Sequence, residues 1–129
     1  MTRAEKAKEY FKEGYNCCQA VVLAFCDTVD IDEKTALLIA SSFGGGVGRL
    51  KQICGAVSGM CIILGLKQGY ISPKANDEKM AHYADIRKLV GEFEERNGSF
   101  ICEKLLDSGK KPCAELVYDA AEILDAMIG

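Results

Sequence analysis

Apolar residues recur every three or four positions along most of this chain, which is the period of an amphipathic helix. No stretch of strand length alternates apolar and polar residues, so the pattern predicts an all-α fold. Seven helical segments are expected, one of them short: 2–13, 16–28, 32–42, 54–68, 73–96, 100–106 and 112–127. No repeat or linker separates them, and residues 1–129 are therefore predicted to form a single-domain bundle of about six to seven helices.

Capping residues mark several of the helix starts. Thr2 and Glu5 have the spacing of a capping box, and Asn16 and Asp32 are good N-caps. The two prolines precede the last long segments, where a fixed φ suits the first helical turn. These signals fix the order of the helices more firmly than their ends.

The apolar stripes indicate which faces are buried. In the third segment the run 37–40 is expected in the core, and the last segment has a long apolar face. The fifth and longest segment repeats five apolar residues at helical spacing, and we expect them to face the core. They are Met80, Tyr83, Ile86, Val90 and Phe93.

Composition and charge narrow the classes of partner. A chain of 129 residues with 49% hydrophobic residues can form one core. Its net charge is -3, and its sequence contains no basic cluster of the kind that binds nucleic acid. The longest apolar run, 53–66, is shorter than the roughly 20 residues of a membrane span. The polar first residues lack the apolar stretch of a signal peptide, so a cytoplasmic location without membrane insertion is expected.

Seven cysteines are many for this length, and an odd number in a cytoplasmic chain argues against a disulfide framework. Four of them, Cys17, Cys54, Cys102 and Cys113, stand at predicted helix starts. A helix start offers unpaired N–H groups and a positive dipole end, which should lower the pKa of a thiol and can donate to cysteine sulfur or inorganic sulfide. We therefore predict that these four form a site where helix N-termini converge.

The other three cysteines, Cys18, Cys26 and Cys61, are assigned a secondary role. Cys26 and Cys61 lie among apolar neighbours in mid-helix and are expected to be small core residues, while Cys18 points about 100° away from Cys17. The lone histidine, His82, is expected to be solvated rather than a ligand.

Two other kinds of site are disfavoured. No C-x-x-C pair is present, which argues against a thioredoxin-type dithiol and a ribbon-type zinc site. The glycine-rich stretch 44–48 lacks both phosphate-binding glycine motifs and does not follow a strand. These glycines are instead expected to bring the backbone close to Cys54, and Gly55 and Gly59 to form a notch for helix packing.

The chain resembles the CGCAxxG-C-C family of redox-active proteins. The matching segments are Gly14–Val21, Phe43–Gly46, Cys54–Gly59 and Leu64–Leu66, followed by Cys102 and Cys113. The resemblance selects the same four cysteines. A similar domain occurs in split-Soret cytochromes c beside haem, and because this chain has no haem attachment motif, the resemblance implies only an iron–sulfur cluster, with [2Fe–2S] favoured.

Three functions remain open at this point. The first is electron transfer through an iron–sulfur cluster held by Cys17, Cys54, Cys102 and Cys113, with an unidentified redox partner. The second is thiol–disulfide exchange through a pair such as Cys17 and Cys54, and the third is non-enzymatic binding of zinc or another soft metal by the same thiolates. The apolar content also permits a homodimer, and the similarity to split-Soret cytochromes c favours one.

Overall fold

The computed structural model describes residues 1–128, and the part of the chain that it covers is all-α, as predicted. It contains seven α-helices, α1 to α7 in chain order. Their bounds are Arg3–Lys12, Cys17–Phe25, Glu33–Ala40, Gly55–Gln68, Asn76–Asn97, Cys102–Ser108 and Cys113–Ile128. Short 3₁₀ turns, Cys26–Thr28 and Ser41–Phe43, follow α2 and α3.

The predicted caps at the first three helices are present. Thr2 and Glu5 form the capping box of α1, and the Asp32 side chain accepts from the Thr35 N–H. Helix α5 starts later than predicted, because Pro73 lies in a turn and the helix begins only at Asn76. The N-cap residue Ala75 has no side chain that could cap it.

Helices α2, α4 and α7 form the centre of the bundle, with α1 packed on α7 and α2. Gly59 allows α2 and α4 to approach closely, since a Cβ there would lie 2.9 Å from the Val21 Cβ. The largest fully buried side chains belong to α2, α4, α5 and α7: Val21, Val22, Phe25, Val57, Met60, Ile63, Leu64, Leu89, Phe93, Val117, Ile123 and Leu124.

Two predicted buried faces are only partly confirmed: Ala40 and Phe93 are buried, but other members of each face are exposed. In α3 only Ala36 and Ala40 are buried, while Leu38 is 65% exposed, because the helix covers the bundle with its small residues. In α5 the core contacts come from Leu89 and Phe93.

Of the other residues predicted for this face, Ile86 and Val90 pack against the core and line a surface groove, while Met80 and Tyr83 are exposed. Met80 is 57% exposed, Tyr83 is also exposed, and Ile86 and Val90 are half-buried. Part of the apolar stripe thus remains without a covering element. None of the helices in residues 1–128 is long and apolar enough to cross a membrane.

Candidate functional site

All four helix-start cysteines lie where the sequence places them. Cys17, Cys102 and Cys113 are the first residues of α2, α6 and α7, and Cys54 directly precedes α4. All four line one cavity of about 100 Å³. The remaining lining residues are Gly45, Gly46, Gly55, Leu105, Leu106 and Leu116.

The start of α2 is fixed by a network around Asn16. The Asn16 side chain accepts from the Gln19 N–H at 2.8 Å, and the Gln19 side chain accepts in return from the Asn16 N–H. Asn16 Nδ2 also donates to the Ser41 carbonyl at 3.2 Å, which ties this helix start to the end of α3. The position of Cys17 therefore depends on both helices.

Cys54 and Cys102 are held side by side by a short piece of extended backbone. Ile53 and Ile101 form an isolated antiparallel bridge. The Cys54 N–H donates to the Phe100 carbonyl at 2.9 Å, and the Cys102 N–H donates to the Gln52 carbonyl at 2.6 Å. This bridge joins residues far apart in the sequence, and no periodic pattern indicates it.

The glycines next to the cavity allow backbone to lie against the cysteines. A Cβ on Gly46 would lie 2.9 Å from the Cys102 Cβ, and a Cβ on Gly55 would lie 2.7 Å from the Phe43 carbonyl oxygen and 3.1 Å from the Cys17 Cβ. Real Cβ atoms are essentially never found closer than 3.0 Å to another heavy atom, so the 2.9 Å and 2.7 Å distances show that these positions require glycine. The backbone reaches Cys102 and Cys17 in this way, and not only the region of Cys54.

The segment after these glycines is wound left-handed. Gly45 and Gly46 have φ of 64° and 72°, and Val47, Arg49 and Lys51 also have positive φ. A left-handed conformation costs roughly 1–2 kcal/mol for a residue with a Cβ, and most for a β-branched one. Strain of this kind is concentrated at functional sites. The sequence shows the glycines but not the three strained side-chain-bearing residues.

The predicted lowering of thiol pKa values is found only at Cys113. Burial raises the pKa of Cys54 to about 11, although the Ala56 and Val57 N–H groups favour its thiolate. Burial also raises the pKa of Cys102, and the nearby Lys51 only partly offsets this. The helix dipole is therefore outweighed wherever the sulfur is shielded from water.

Cys17 and Cys113 both line the cavity, and their pKa values are shifted in opposite directions. Hydrogen bonding with Cys17 lowers the pKa of Cys113 to about 6, and the same interaction together with burial raises the pKa of Cys17. The pair therefore favours one proton shared between two sulfurs.

The remaining cysteines lie away from the cavity. Cys18 is buried in the core, and burial raises its pKa to about 12. Cys61 faces an apolar groove, and burial raises its pKa to about 11. Cys26 is half-buried, with its thiol toward the Leu23 carbonyl.

His82 is not solvated as expected. The residue is half-buried, its ring contacts that of Tyr70 edge-on, and its Nδ1 is buried with no hydrogen-bond partner in residues 1–128. It does not line the cysteine cavity. Within the described part of the chain, no group of three or more His, Cys, Asp or Glu residues is arranged to hold a metal ion.

A protein-family model matches residues 15–127, and its description is "Putative redox-active protein (C_GCAxxG_C_C)". The match starts just before Cys17 and includes all seven cysteines. No curated protein and no solved structure matches the chain significantly.

Proposed function

Since the chain belongs to the C_GCAxxG_C_C family, described as redox-active, we propose that it transfers electrons through an iron–sulfur cluster held by Cys17, Cys54, Cys102 and Cys113. The observation that carries the proposal is that these four cysteines line one small cavity. Cysteine thiolates are the ligands of such clusters.

The size of the cavity is compatible with a small inorganic group. A water molecule occupies roughly 30 Å³ of liquid, so a cavity of about 100 Å³ has room for a few heavy atoms between the four sulfurs. We favour a [2Fe–2S] cluster, because each of its two irons takes only two protein thiolates, so the four cysteines need not converge on a single metal ion. When bound, it would supply one-electron transfer.

The surroundings of the cavity would tune such a cluster. Leu105, Leu106 and Leu116 exclude water from one side, which lowers the local dielectric. On the other side Gly45 and Gly46 bring main chain without side chains to the cavity, and main-chain N–H groups next to cluster sulfurs affect the reduction potential. The tight contact of Gly46 with Cys102 supports this role for the loop.

The proposal is tested by purifying the protein without oxygen and measuring iron, acid-labile sulfide and visible absorption. A brown protein with equal iron and sulfide is expected, and Cys17→Ser, Cys54→Ser, Cys102→Ser and Cys113→Ser should each lose most of both. Cys61→Ser is the matched control, because Cys61 is half-buried but does not line the cavity, and this variant should keep its colour.

Two outcomes would contradict the proposal. Stoichiometric zinc without sulfide, retained after reconstitution with iron and sulfide, would favour a soft-metal module. A colourless, metal-free protein with a reversible disulfide would favour thiol chemistry.

Thiol–disulfide exchange is the second candidate, and the opposite pKa shifts that hydrogen bonding gives Cys17 and Cys113 favour that pair. The sequence suggests a pair such as Cys17 and Cys54, and all three of these cysteines line the cavity. In this reaction the two thiols would lose two protons and pass two electrons to the disulfide of a partner, which would leave as a dithiol. Mass spectrometry of the oxidised protein would identify the bridged pair.

Both candidates require a redox partner and reduced cysteines at rest. We propose a reducing compartment such as the cytoplasm, where thiols stay reduced. Growth of cells that produce the protein, followed by thiol trapping in the cytoplasmic fraction, would test this location.

A further inference from the structure

An open groove lies between α4 and α5 on the surface of the protein. Its volume is about 750 Å³, which is far larger than that of the cysteine cavity. Its walls are mainly apolar: Phe43, Ile53, Val57, Ile62, Ile86, Val90 and Phe100. Two charged residues, Arg87 and Glu94, also line it.

The exposed stripe of α5 continues along this groove. Met80, Tyr83, Arg87, Val90 and Glu94 are spaced alternately three and four residues apart, which places them on one side of a helix. The core-facing residues Leu89 and Phe93 occupy the other side. This side of α5 combines apolar residues with two charged ones, and apolar surface rimmed by charge is a common mark of an interaction surface.

Gly91 is a second unusual feature of the same stripe. It lies in the interior of a 22-residue helix, where glycine is unfavourable relative to alanine. Nothing lies within 4 Å of a Cβ built on it, so no contact within residues 1–128 requires a glycine there. Glycine in an exposed helix face permits another backbone to approach closely.

The charges on the stripe are self-complementary. Neither Arg87 nor Glu94 has an ion-pair partner within residues 1–128. The two residues are equally distant from the midpoint between Val90 and Gly91. If two copies of α5 cross antiparallel at that midpoint, Arg87 of each copy lies opposite Glu94 of the other.

We propose that this face binds a second copy of the same chain, through antiparallel α5 helices related by a two-fold axis between Val90 and Gly91. An isologous contact of this kind uses one patch twice and needs this self-complementarity. Val90 of each copy would pack over Gly91 of the other, and Ile86 would enter the groove beside Val57. The two symmetric Arg87–Glu94 pairs would fix the register.

The proposal is independent of the chemistry at the cysteines. The chemistry of the cysteine site is tested by measuring iron, sulfide and disulfides. The α5 contact is tested by measuring the molecular mass of the protein in solution. Either can fail without the other, because Cys17, Cys54, Cys102 and Cys113 do not line the groove.

Sedimentation velocity of the complete chain across the micromolar range tests the proposal. The unaltered protein should be a dimer, while Arg87→Glu and Glu94→Arg should each weaken dimerisation by about tenfold or more, since each turns two attractions into repulsions. The double variant Arg87→Glu/Glu94→Arg should restore the dimer. Lys88→Glu is the matched control, with the same charge change on an exposed neighbouring residue that does not line the groove.

A second pair of variants tests the close approach at Gly91. Gly91→Leu should abolish the dimer, whereas Gly65→Leu, at another helix-interior glycine with open space around it, should not. Circular dichroism of all variants checks that the fold is intact.

Three results would overturn the proposal. A monomer at all concentrations would exclude a second copy as occupant and leave the groove to another protein or a small apolar molecule. A dimer that tolerates both single charge changes would place the contact elsewhere. Loss of the dimer without restoration in the double variant would exclude the antiparallel register.

Discussion

The cysteine cavity and the α5 groove are built in opposite ways. The cavity has a volume of about 100 Å³ and is lined by residues at four helix starts. Glycines also line it, at positions where a side chain would clash with neighbouring atoms. The groove has a volume of about 750 Å³ and is open to solvent. A Cβ built on its glycine, Gly91, would have no atom within 4 Å. The cavity is complete within one chain and restrained from several directions. The groove has the apolar lining of a buried surface, but no element of residues 1–128 covers it.

Glycine has a different structural role in each region. Gly55 permits contact between segments of this chain, whereas Gly91 has no such role here. Burial at the cavity also controls chemistry, because it raises the pKa values of Cys54 and Cys102 and adds to the effect of hydrogen bonding with Cys113 on the pKa of Cys17. At the groove, burial is incomplete and the apolar stripe stays accessible.

The largest expected effect is at the contact of α2 with α4 behind the cysteines. Gly59→Leu should lower the free energy of unfolding by about 3 kcal/mol or more, because even a Cβ there would lie 2.9 Å from the Val21 Cβ and 3.1 Å from the Cys18 carbonyl. Urea denaturation measures the loss. Gly65→Leu, in the same helix but with open space, should lose less than half as much, and equal losses would contradict the packing argument.

The thiols of the two regions should differ in reactivity. In the metal-free, reduced protein at neutral pH, Cys113 should react with iodoacetamide about a hundredfold faster than Cys61, given pKa values of about 6 and about 11. Because the folded pKa of Cys113 is lowered, its reactivity should be present above about pH 6 and lost as the pH falls below it. Peptide mapping after timed alkylation measures both rates. Equal rates would show that burial does not separate the two thiols.

The helix starts should respond differently to capping changes. Asn16→Ala should lower the free energy of unfolding by about 1–2 kcal/mol, since it removes the N-cap of α2 and the hydrogen bond to Ser41. Asn16→Asp keeps the cap but not the amide donor, so it should recover most of the loss. Thermal unfolding measures both variants, and no effect of Asn16→Ala would mean that the cavity contacts alone hold this helix start.

The smallest expected effect is at the groove. Gly91→Ala should raise the free energy of unfolding of the monomer by about 1 kcal/mol, because alanine favours a helix and its Cβ meets nothing in the chain. The measurement is made in the Arg87→Glu background, so that dimerisation does not contribute. Gly55→Ala is the contrasting change, and it should destabilise because its Cβ would lie 2.7 Å from the Phe43 carbonyl oxygen. A loss of stability at Gly91 would contradict the open geometry.

Local signals were sufficient for the helices and for the placement of four cysteines at helix starts. The capping residues Thr2, Asn16 and Asp32 are confirmed, because a cap is decided by the few residues around it. The start of α5 was missed by three residues, since Pro73 fits the first turn of a helix and also a preceding turn. That the four cysteines bind a cluster stays a prediction.

Periodicity and capping were enough to predict the all-α fold and to place Cys17, Cys54, Cys102 and Cys113 at helix starts, because both act over a few neighbouring residues. The folded structure was needed to show that the four line one cavity, that the pKa values of Cys17 and Cys113 shift in opposite directions, and that part of α5 stays exposed. Burial and contacts between distant segments depend on how whole helices pack. The periodicity of an apolar stripe is therefore the same whether the stripe is buried within this chain or remains exposed on its surface.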